Sequence, residues 1–409
     1  MPFVIFPAPK AFASLYKQVD IVKISFNNTL VSDKNVIELT HQIDEIVSPL
    51  WYGFTSTSKN DVTPVFLQTG VSSEINISIS NLQICSSKSM ASFLLRIRND
   101  FYINAGISNN KGRILVALIP QIGCIWSGIS LNGNSFDSDG TIALQNTDSA
   151  FVIAHEIGHV FGLGHTNLLY CASRISDGPW GNDCQGIEYG GAIDLMSNVN
   201  NNLPLSTYHQ WRLGLISSND VVQNWTDETI LLSKVNARTG VKAIFLRDND
   251  TTYWIEFRPA AMENNYRSGL VIYRTDPPPS RYISSPNPED SLASESDLQV
   301  STDIWMLNLD SYSYSQGKVS GSMSLPETRT FTTFSGGVSI SGKVSADGER
   351  VSVEIIRKKD TTAPKKPLLS SQTNWKSPNS SIIDTSYLAS EFDVKEFEIK
   401  AGDISKKIS

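Results

Sequence analysis

The 409-residue sequence lacks the features that mark several large classes of protein. It contains no apolar run of about 18 residues or more, so no transmembrane helix is predicted. Its formal net charge of −7 argues against nucleic acid or an anionic membrane as the main partner. Its four cysteines show no C-x-x-C spacing, which disfavours a zinc site built from cysteine alone. What remains is the composition of an ordinary globular protein, long enough for two or three domains.

Histidine is also scarce, and its distribution is uneven. Three of the five histidines lie in the short run "AHEIGHVFGLGHT". His155 and His159 lie four residues apart, which places them on one face of a helix, where two imidazoles can bind one metal ion. Glu156 points to a neighbouring side of the same helix. The pattern H-E-x-x-H therefore predicts a zinc site in which Glu156 is the general base for a water at the metal.

The third histidine, His165, follows His159 by six residues, and a straight helix would carry it away from the metal. Glycine tolerates a positive φ, so Gly162 can end the helix and turn the chain back, with Gly164 adding freedom before His165. The run then reads H-E-x-x-H-x-x-G-x-x-H, the extended motif of the metzincins. The alternative is a buried helix with a few hydrogen-bonded histidines, and it fits the bare motif better than the extended one.

A methionine downstream supports the same interpretation. Met196 follows the glycine-rich stretch "GGAIDLMSN", and metzincins carry a Met-turn beneath the zinc. A lone methionine is more often a core residue, but its place after a glycine-rich turn favours the Met-turn.

Three stretches together resemble the gametolysin-type branch of the metzincins: "IAHEIGHVFGLGHT", "CQGIEYGGAIDLMSN" and "LSTYHQWRLGLI". The resemblance covers roughly residues 110 to 275. It implies a secreted zinc endopeptidase with His155, His159 and His165 as ligands, Glu156 as base and Met196 in the turn. Ser197 stands where the family often has glycine, which leaves the immune-inhibitor-type proteases open as relatives.

The cysteines predict disulfides in a chain with an exported character. Cys171 and Cys184 flank a Gly/Asp-rich loop, and we expect a bridge between them, with Cys85–Cys124 as its companion. The alternative is four free thiols, buried in a reducing compartment.

The hydrophobic pattern divides the chain into three parts. Residues 1–218 alternate predicted strands and helices, which suits an α+β metzincin-like domain with a twisted sheet, an active-site helix and the Met-turn. Residues 219–358 consist of short β-runs separated by turns and predict an all-β sandwich. Residues 359–409 predict a Thr/Pro/Lys linker and the front part of an Ig-like or fibronectin-like module.

We therefore expect a secreted or cell-surface zinc endopeptidase that acts on proteins or peptides. Two other classes stay open: a zinc-stabilised adhesion or binding protein, and a metal amidase directed at peptidoglycan. The C-terminal β-modules could attach the protein to a cell surface or wall.

The opening "MPFVIFPAPKAFAS" has an apolar patch but no basic n-region, so it fits an incomplete signal peptide or an ordinary strand.

Two details of the active site are also predicted. Tyr189 and Tyr208, which follow the third histidine in the sequence, are candidates for stabilising an oxyanion. In a metzincin, an edge strand above the zinc pairs with extended substrate, and "CIWSGIS" is the candidate for that strand.

Overall fold

The structure is a computed structural model with a mixed α and β fold that is rich in sheet. It describes residues 15–28, 30–56, 64–78, 87–122, 124, 126–131, 133–145, 149–171, 176–181, 183–191, 193–197, 203–259, 267–276, 283–284, 303–310, 313–315, 318–320, 324–358, 369–377, 380–387, 397–401 and 404–408. The opening stretch, Cys85 and the predicted linker at 359–368 lie outside these residues.

The first part of the chain builds a sheet between two layers of helices. Its strands are β1 (Leu15–Phe26), β2 (Leu30–Val31), β3 (Val65–Ile77), β4 (Ile114–Leu118), β5 (Gly128–Ser130) and β6 (Gly140–Leu144). Its helices are α1 (Val36–Gln42), a π-helical turn (Ile43–Val47), α2 (Ser48–Ser56), α3 (Ser87–Asn104) and α4 (Ala150–Val160).

Strand order in this sheet is β2-β1-β4-β6-β5, with β3 also paired to β1. The strands β1, β3, β4 and β6 run parallel, whereas β5 pairs antiparallel with β6 at the edge of the described sheet. All five residues of β4 are buried, as expected for a central strand covered on both faces. The fully apolar run "ILVAL" therefore suits the middle position that β4 occupies.

Side chains of the central strands alternate between two cores because successive residues of a strand point to opposite faces. Val19 and Ile21 belong to the core formed with α1, α2 and α4. Val22 and Ile24 belong to the core formed with α3. Helix α4, which carries the histidine motif, thus packs on one face of the sheet.

The second part of the chain is almost entirely β. After β7 (Thr166–Cys171), β8 (Cys184–Ile187) and helix α5 (Thr207–Arg212), a short 3₁₀ turn (Ser218–Asp220) leads into a series of strands. They are β9 (Val221–Asn224), β10 (Glu228–Ser233), β11 (Ala243–Asp248), β12 (Thr251–Arg258), β13 (Gly269–Arg274), β14 (Ile283–Ser284), β15 (Ile304–Leu307), β16 (Ser313–Ser315), β17 (Lys318–Ser320), β18 (Phe331–Thr332), β19 (Val338–Val344) and β20 (Arg350–Arg357).

Two of the sheets in this part face each other. One has the order β14-β8-β7-β15-β13-β12-β11-β9, and the other has the order β10-β20-β19-β18. Apolar side chains of both sheets share one core, including Ile255 and Leu270 from the larger sheet and Ile340 and Val353 from the smaller one. Two sheets packed in this way form a sandwich, the arrangement that alternating short strands favour. Strands β16 and β17 form a separate antiparallel pair.

The larger sheet spans the boundary predicted between residues 218 and 219. Strand β7 pairs in parallel with β15, and the register joins Thr166 to Ile304. The amide of Ile304 also donates to the carbonyl of His165 at 3.0 Å. A division of the chain after residue 218 would therefore cut through one hydrogen-bonded sheet.

The last part of the chain contains two antiparallel pairs. Strands β21 (Leu369–Ser377) and β22 (Ser380–Tyr387) form one, and β23 (Phe397–Ala401) and β24 (Ile404–Ile408) form the other. Their assignment to an Ig-like or fibronectin-like module stays a prediction.

The predicted disulfide between Cys171 and Cys184 is confirmed. It joins β7 to β8 at positions that face each other in the sheet. Cys124 is buried, but the predicted Cys85–Cys124 bridge stays a prediction because Cys85 lies outside the described residues. None of the helices in the described part of the chain has the length and apolar content that crossing a membrane requires.

The shared sheet leads to a prediction about truncation. A chain ending at residue 218 is expected not to fold stably, because β7 loses β15 and because Leu169, Cys171 and Cys184 lose the core they share with later strands. Thermal unfolding followed by circular dichroism measures this. A chain ending at residue 358 keeps both facing sheets and is the control, expected to unfold cooperatively. Cooperative unfolding of the 1–218 fragment near the Tm of the full chain would contradict the prediction.

Candidate metal centre

Helix α4 presents His155 and His159 on one face and ends where the sequence predicts. Gly162 has φ +93°, in the left-handed region, and its amide donates to the carbonyl of His159 at 2.9 Å. A Cβ at this position would lie 2.8 Å from Cα of Asn134, so a larger residue has no room there. The turn brings the chain back, and His165 lies beside the two helical histidines.

The three histidines converge through the same ring atom. Nε2 of His159 lies 3.1 Å from Nε2 of His155 and 2.9 Å from Nε2 of His165. Among the described residues, these three form the one cluster of His, Cys, Asp or Glu groups arranged to hold a metal ion. Zinc–imidazole bonds are about 2.0–2.1 Å long, so three nitrogens this close can share one ion.

The other ring nitrogen of each histidine has a hydrogen-bond acceptor. Nδ1 of His155 donates to the carbonyl of Leu195 at 2.8 Å, and Nδ1 of His159 donates to the carbonyl of Leu163 at 2.7 Å. Nδ1 of His165 lies 3.0 Å from a carboxylate oxygen of Glu188. A carbonyl or carboxylate oxygen can only accept, so each Nδ1 carries a proton, and in the neutral form of the rings the Nε2 lone pairs face one another. Three lone pairs aimed at one point fit a bound cation.

Burial and neighbouring charge affect the protonation of the three rings differently. Burial, with the charge of His165, lowers the pKa of His155 to about 4. Burial lowers the pKa of His159 well below its ordinary value. Burial also acts to lower the pKa of His165, but the hydrogen bond and charge of Glu188 outweigh it and raise that pKa. Neutral imidazole is the form that binds metal, so the environment of His155 and His159 favours the ligand form at neutral pH.

Glu156 lies next to the cluster without joining it. Its side chain is only 6% exposed, and a Cβ on Gly128 would lie 2.9 Å from its Oε1. The carboxyl group therefore lies against β5, the edge strand that the sequence analysis names as the substrate strand. Its charge acts on the pKa of His165, which places it within electrostatic range of the third imidazole.

Met196 lies directly against helix α4. It is fully buried, and a Cβ on Gly158 would lie 2.5 Å from its Sδ, so only glycine fits there without a shift. The amide of Met196 donates to Asp194 at 3.1 Å, and the hydroxyl of Ser197 donates to the carbonyl of Asp194 at 2.7 Å. The hydroxyl of Ser197 thus closes the turn. This is the position where gametolysin-type proteases often have glycine.

The two candidate tyrosines occupy different surroundings. The ring of Tyr189 lies 4.1 Å from that of His165 and 5.9 Å from that of His155. Tyr189 has φ +59°, and its amide donates to Asn167 at 2.9 Å. Tyr208 is buried instead against Trp254, at 5.3 Å between ring centroids. Of the two, Tyr189 is the one in ring contact with the histidines.

Sequence reasoning did not find the acidic residues around the third histidine. Glu188 contacts its ring, and Oδ1 of Asp303 accepts from its backbone amide at 2.5 Å. Burial raises the pKa of Asp303 to about 6. Asp303 lies 138 positions from His165, so no local pattern indicates the contact. Glu188 lies in the quoted stretch before Met196, but acidic residues are too common for its presence to identify a role.

Comparisons with known proteins add little to this geometry. No protein-family model matches the chain, and no curated protein matches it. A crystal structure of wild-type OgpA from Akkermansia muciniphila covers 63% of this chain and 76% of that chain, with 12% identity and a TM-score of 0.29. A second crystal form of the same protein covers 64% and 90%, with 10% identity and a TM-score of 0.30. TM-scores this low support no inference about the site.

The packing of Met196 gives a stability prediction. Gly158→Ala is expected to lower the free energy of unfolding by about 1–3 kcal/mol, because the new Cβ would lie 2.5 Å from the Sδ of the fully buried Met196, which would have to shift within the core. Gly53→Ala is the matched control, since Gly53 is on helix α2 with no atom within 4 Å of an added Cβ. It should stabilise the protein by about 0.5–1 kcal/mol. Urea unfolding compares the two, and equal stability of the variants would show that Met196 does not pack as described.

Proposed function

We propose that this chain is a zinc-dependent endopeptidase of metzincin type that acts on proteins or peptides. The observation that carries the proposal is the convergence of three imidazole Nε2 atoms, each ring oriented through its Nδ1, beside a buried glutamate. The extended histidine motif and the buried Met196 support the same assignment, as does the resemblance to gametolysin-type proteases. The proposal includes membership of the metzincins and the role of each residue.

The donor set suits zinc. His155, His159 and His165 would hold the ion, and three neutral imidazoles are a common ligand set for a catalytic zinc that keeps a further position open. Imidazole also binds copper, iron and nickel, so identification of the metal needs direct measurement. When bound, zinc polarises a substrate carbonyl and lowers the pKa of a water molecule towards neutrality.

Different residues of the chain would then have different roles in peptide hydrolysis. Glu156 accepts the proton of the attacking water and delivers it to the amine that leaves. Its burial against β5 keeps bulk water away from the carboxyl group and strengthens its interaction with nearby charge. In the described sheet β5 is paired on one side only, so its other side offers backbone groups to an extended substrate. Tyr189, whose ring lies 4.1 Å from that of His165, is proposed to stabilise the oxyanion.

Localisation outside the cell is part of the proposal. The Cys171–Cys184 disulfide is typical of an oxidising compartment.

Two alternatives keep the same metal site, a zinc-stabilised binding protein and a peptidoglycan amidase. A binding protein has no use for Glu156, whereas an amidase would use it on a different substrate.

The metal assignment predicts one zinc per chain. His155→Ala is expected to lose the tightly bound ion, because it leaves two protein ligands in place of three. Elemental analysis of the purified, dialysed protein measures the stoichiometry. His41→Ala is the control, because His41, on helix α1, is exposed and pairs with Glu45 of the following π-helical turn. Full zinc content in His155→Ala would show that the ligand assignment is wrong.

The catalytic assignment predicts separate effects on rate and metal. Glu156→Gln keeps the shape of the side chain but removes the base, so turnover should fall by at least about 10²–10⁴-fold. Zinc content and Tm should stay near those of the unaltered protein, because Glu156 is not a ligand. Digestion of a peptide library, with and without a chelator, identifies a cleavable peptide on which to measure the rate.

The matched control for this measurement is Glu354→Gln, the same chemical change on an exposed position of β20. It should leave the rate unchanged. If Glu156→Gln cleaves peptides as fast as Glu354→Gln, the protease mechanism fails and the binding-protein alternative replaces it. If no peptide is cleaved but peptidoglycan is, the amidase alternative holds.

A further inference from the structure

His165 differs from the other two histidines in how its position is fixed. His155 and His159 are separated by one turn of helix α4, so the helix sets their spacing. His165 stands between Gly164 and the start of β7, outside any helix or strand. Leu163 is buried and hydrogen-bonded to Gly158, but Gly164, between it and His165, is the most permissive backbone residue, so a contact at His165 itself can contribute to its position.

The two backbone hydrogen bonds of His165 come from the later part of the chain. Its backbone amide donates to Oδ1 of Asp303 at 2.5 Å, and its carbonyl accepts from the amide of Ile304 at 3.0 Å. The backbone amide and the backbone carbonyl of His165 are thus hydrogen-bonded to two consecutive residues, Asp303 and Ile304. Its ring is oriented separately by Glu188. Ile304 opens β15, whose parallel pairing with β7 continues the contact into the sheet.

We propose that Asp303 is a positioning residue of the metal centre, which makes the β-sandwich part of the chain a component of that centre. The inference rests on the proposed function, since it assumes that His165 is a ligand. The backbone at His165 follows a flexible glycine and can adopt many conformations. The hydrogen bond from its half-buried amide to the carboxylate of Asp303 selects the conformation in which the His165 ring reaches the rings of the other two histidines. Hydrogen bonds to a charged group are among the stronger ones in proteins, so this bond can decide such an equilibrium.

A purely structural role for Asp303 is the alternative. In that case the carboxylate would only help β15 begin its pairing with β7. Its removal would then lower the stability of the metal-free and metal-loaded protein by the same amount. A positioning role predicts instead that the loss appears in metal affinity, because residues that orient ligands typically change affinity by about 10–100-fold.

The test measures metal binding by the full chain without reference to activity. In Asp303→Ala the dissociation constant for Zn²⁺, from competition with a chromophoric chelator, should rise about 10–100-fold. The increase in Tm on adding Zn²⁺ should shrink accordingly, by the equivalent of about 1.4 kcal/mol for each tenfold loss of affinity. The visible spectrum of the Co²⁺-loaded protein should change as well, since it reports the geometry of the ligands.

Two further variants make the result specific. Asp303→Asn keeps an acceptor oxygen at the same distance along the side chain and should recover most of the affinity. Asp310→Ala removes a carboxylate in the same segment that pairs with Arg267 at 3.2 Å and Arg329 at 3.9 Å, so it should leave Zn²⁺ affinity unchanged. If Asp303→Ala does not fold, Asp303→Glu replaces it, because one added methylene displaces the carboxylate and should weaken binding in the same direction.

The outcomes separate this inference from the proposed function. Loss of Zn²⁺ in His155→Ala together with unaltered affinity in Asp303→Ala would overturn the positioning role and leave the metal site intact. An equal fall in Tm with and without Zn²⁺ would also overturn it. Asp303→Asn behaving like Asp303→Ala would contradict positioning through the hydrogen bond. Zn²⁺ bound normally by His155→Ala would instead overturn the ligand assignment itself.

Discussion

The candidate metal centre depends on hydrogen bonds made by the ring nitrogens that face away from it. Each Nδ1 has an acceptor, and these acceptors come from three places: the turn that contains Met196, the loop just after helix α4 and the turn just after β8. An imidazole can rotate about two side-chain bonds, so its Nε2 points in a defined direction only if Nδ1 is fixed. The position of the candidate ion is thus determined as much by Leu195, Leu163 and Glu188 as by the three histidines.

One of these acceptors connects the site to the larger sheet through a buried polar network. Asp194, one residue before Leu195, accepts from the amide of Met196 and from the hydroxyl of Thr166 at the start of β7. Burial acts to raise the pKa of Asp194, but the nearby ring of His209 at 3.6 Å, the charge of Arg258 and the donating amide of Ser206 outweigh it and lower that pKa. Arg258 on β12 donates to the carbonyl of Ile193 at 2.9 Å. The turn beneath the histidines is therefore held by side chains on α5, β7 and β12. Removing one member would leave buried groups without partners, which is costly in a site shielded from water.

How far the sequence predicts this structure depends on how local each feature is. The histidine spacing, the glycine that ends α4 and the disulfide between Cys171 and Cys184 all follow from short stretches, and the structure places them as expected. The two facing sheets follow from alternating apolar residues. The pairing of β7 with β15 does not, because hydrophobic periodicity identifies strands but not their partners over more than a hundred positions. Asp303 was missed for the same reason.

The acidic residues near His165 also bear on what the centre can hold. Glu156, Glu188 and Asp303 all act on the pKa of this one imidazole, and Glu156 is nearly fully buried. Negative charges gathered in a shielded site destabilise one another unless a positive charge is near. His155 and His159 supply little, since burial keeps them neutral at neutral pH. A divalent cation at the three Nε2 atoms would offset that negative charge, as would a proton on His165, whose pKa Glu188 raises. The charges around His165 thus suit a positively charged centre, and the convergence of the three Nε2 atoms is what favours a metal ion in it.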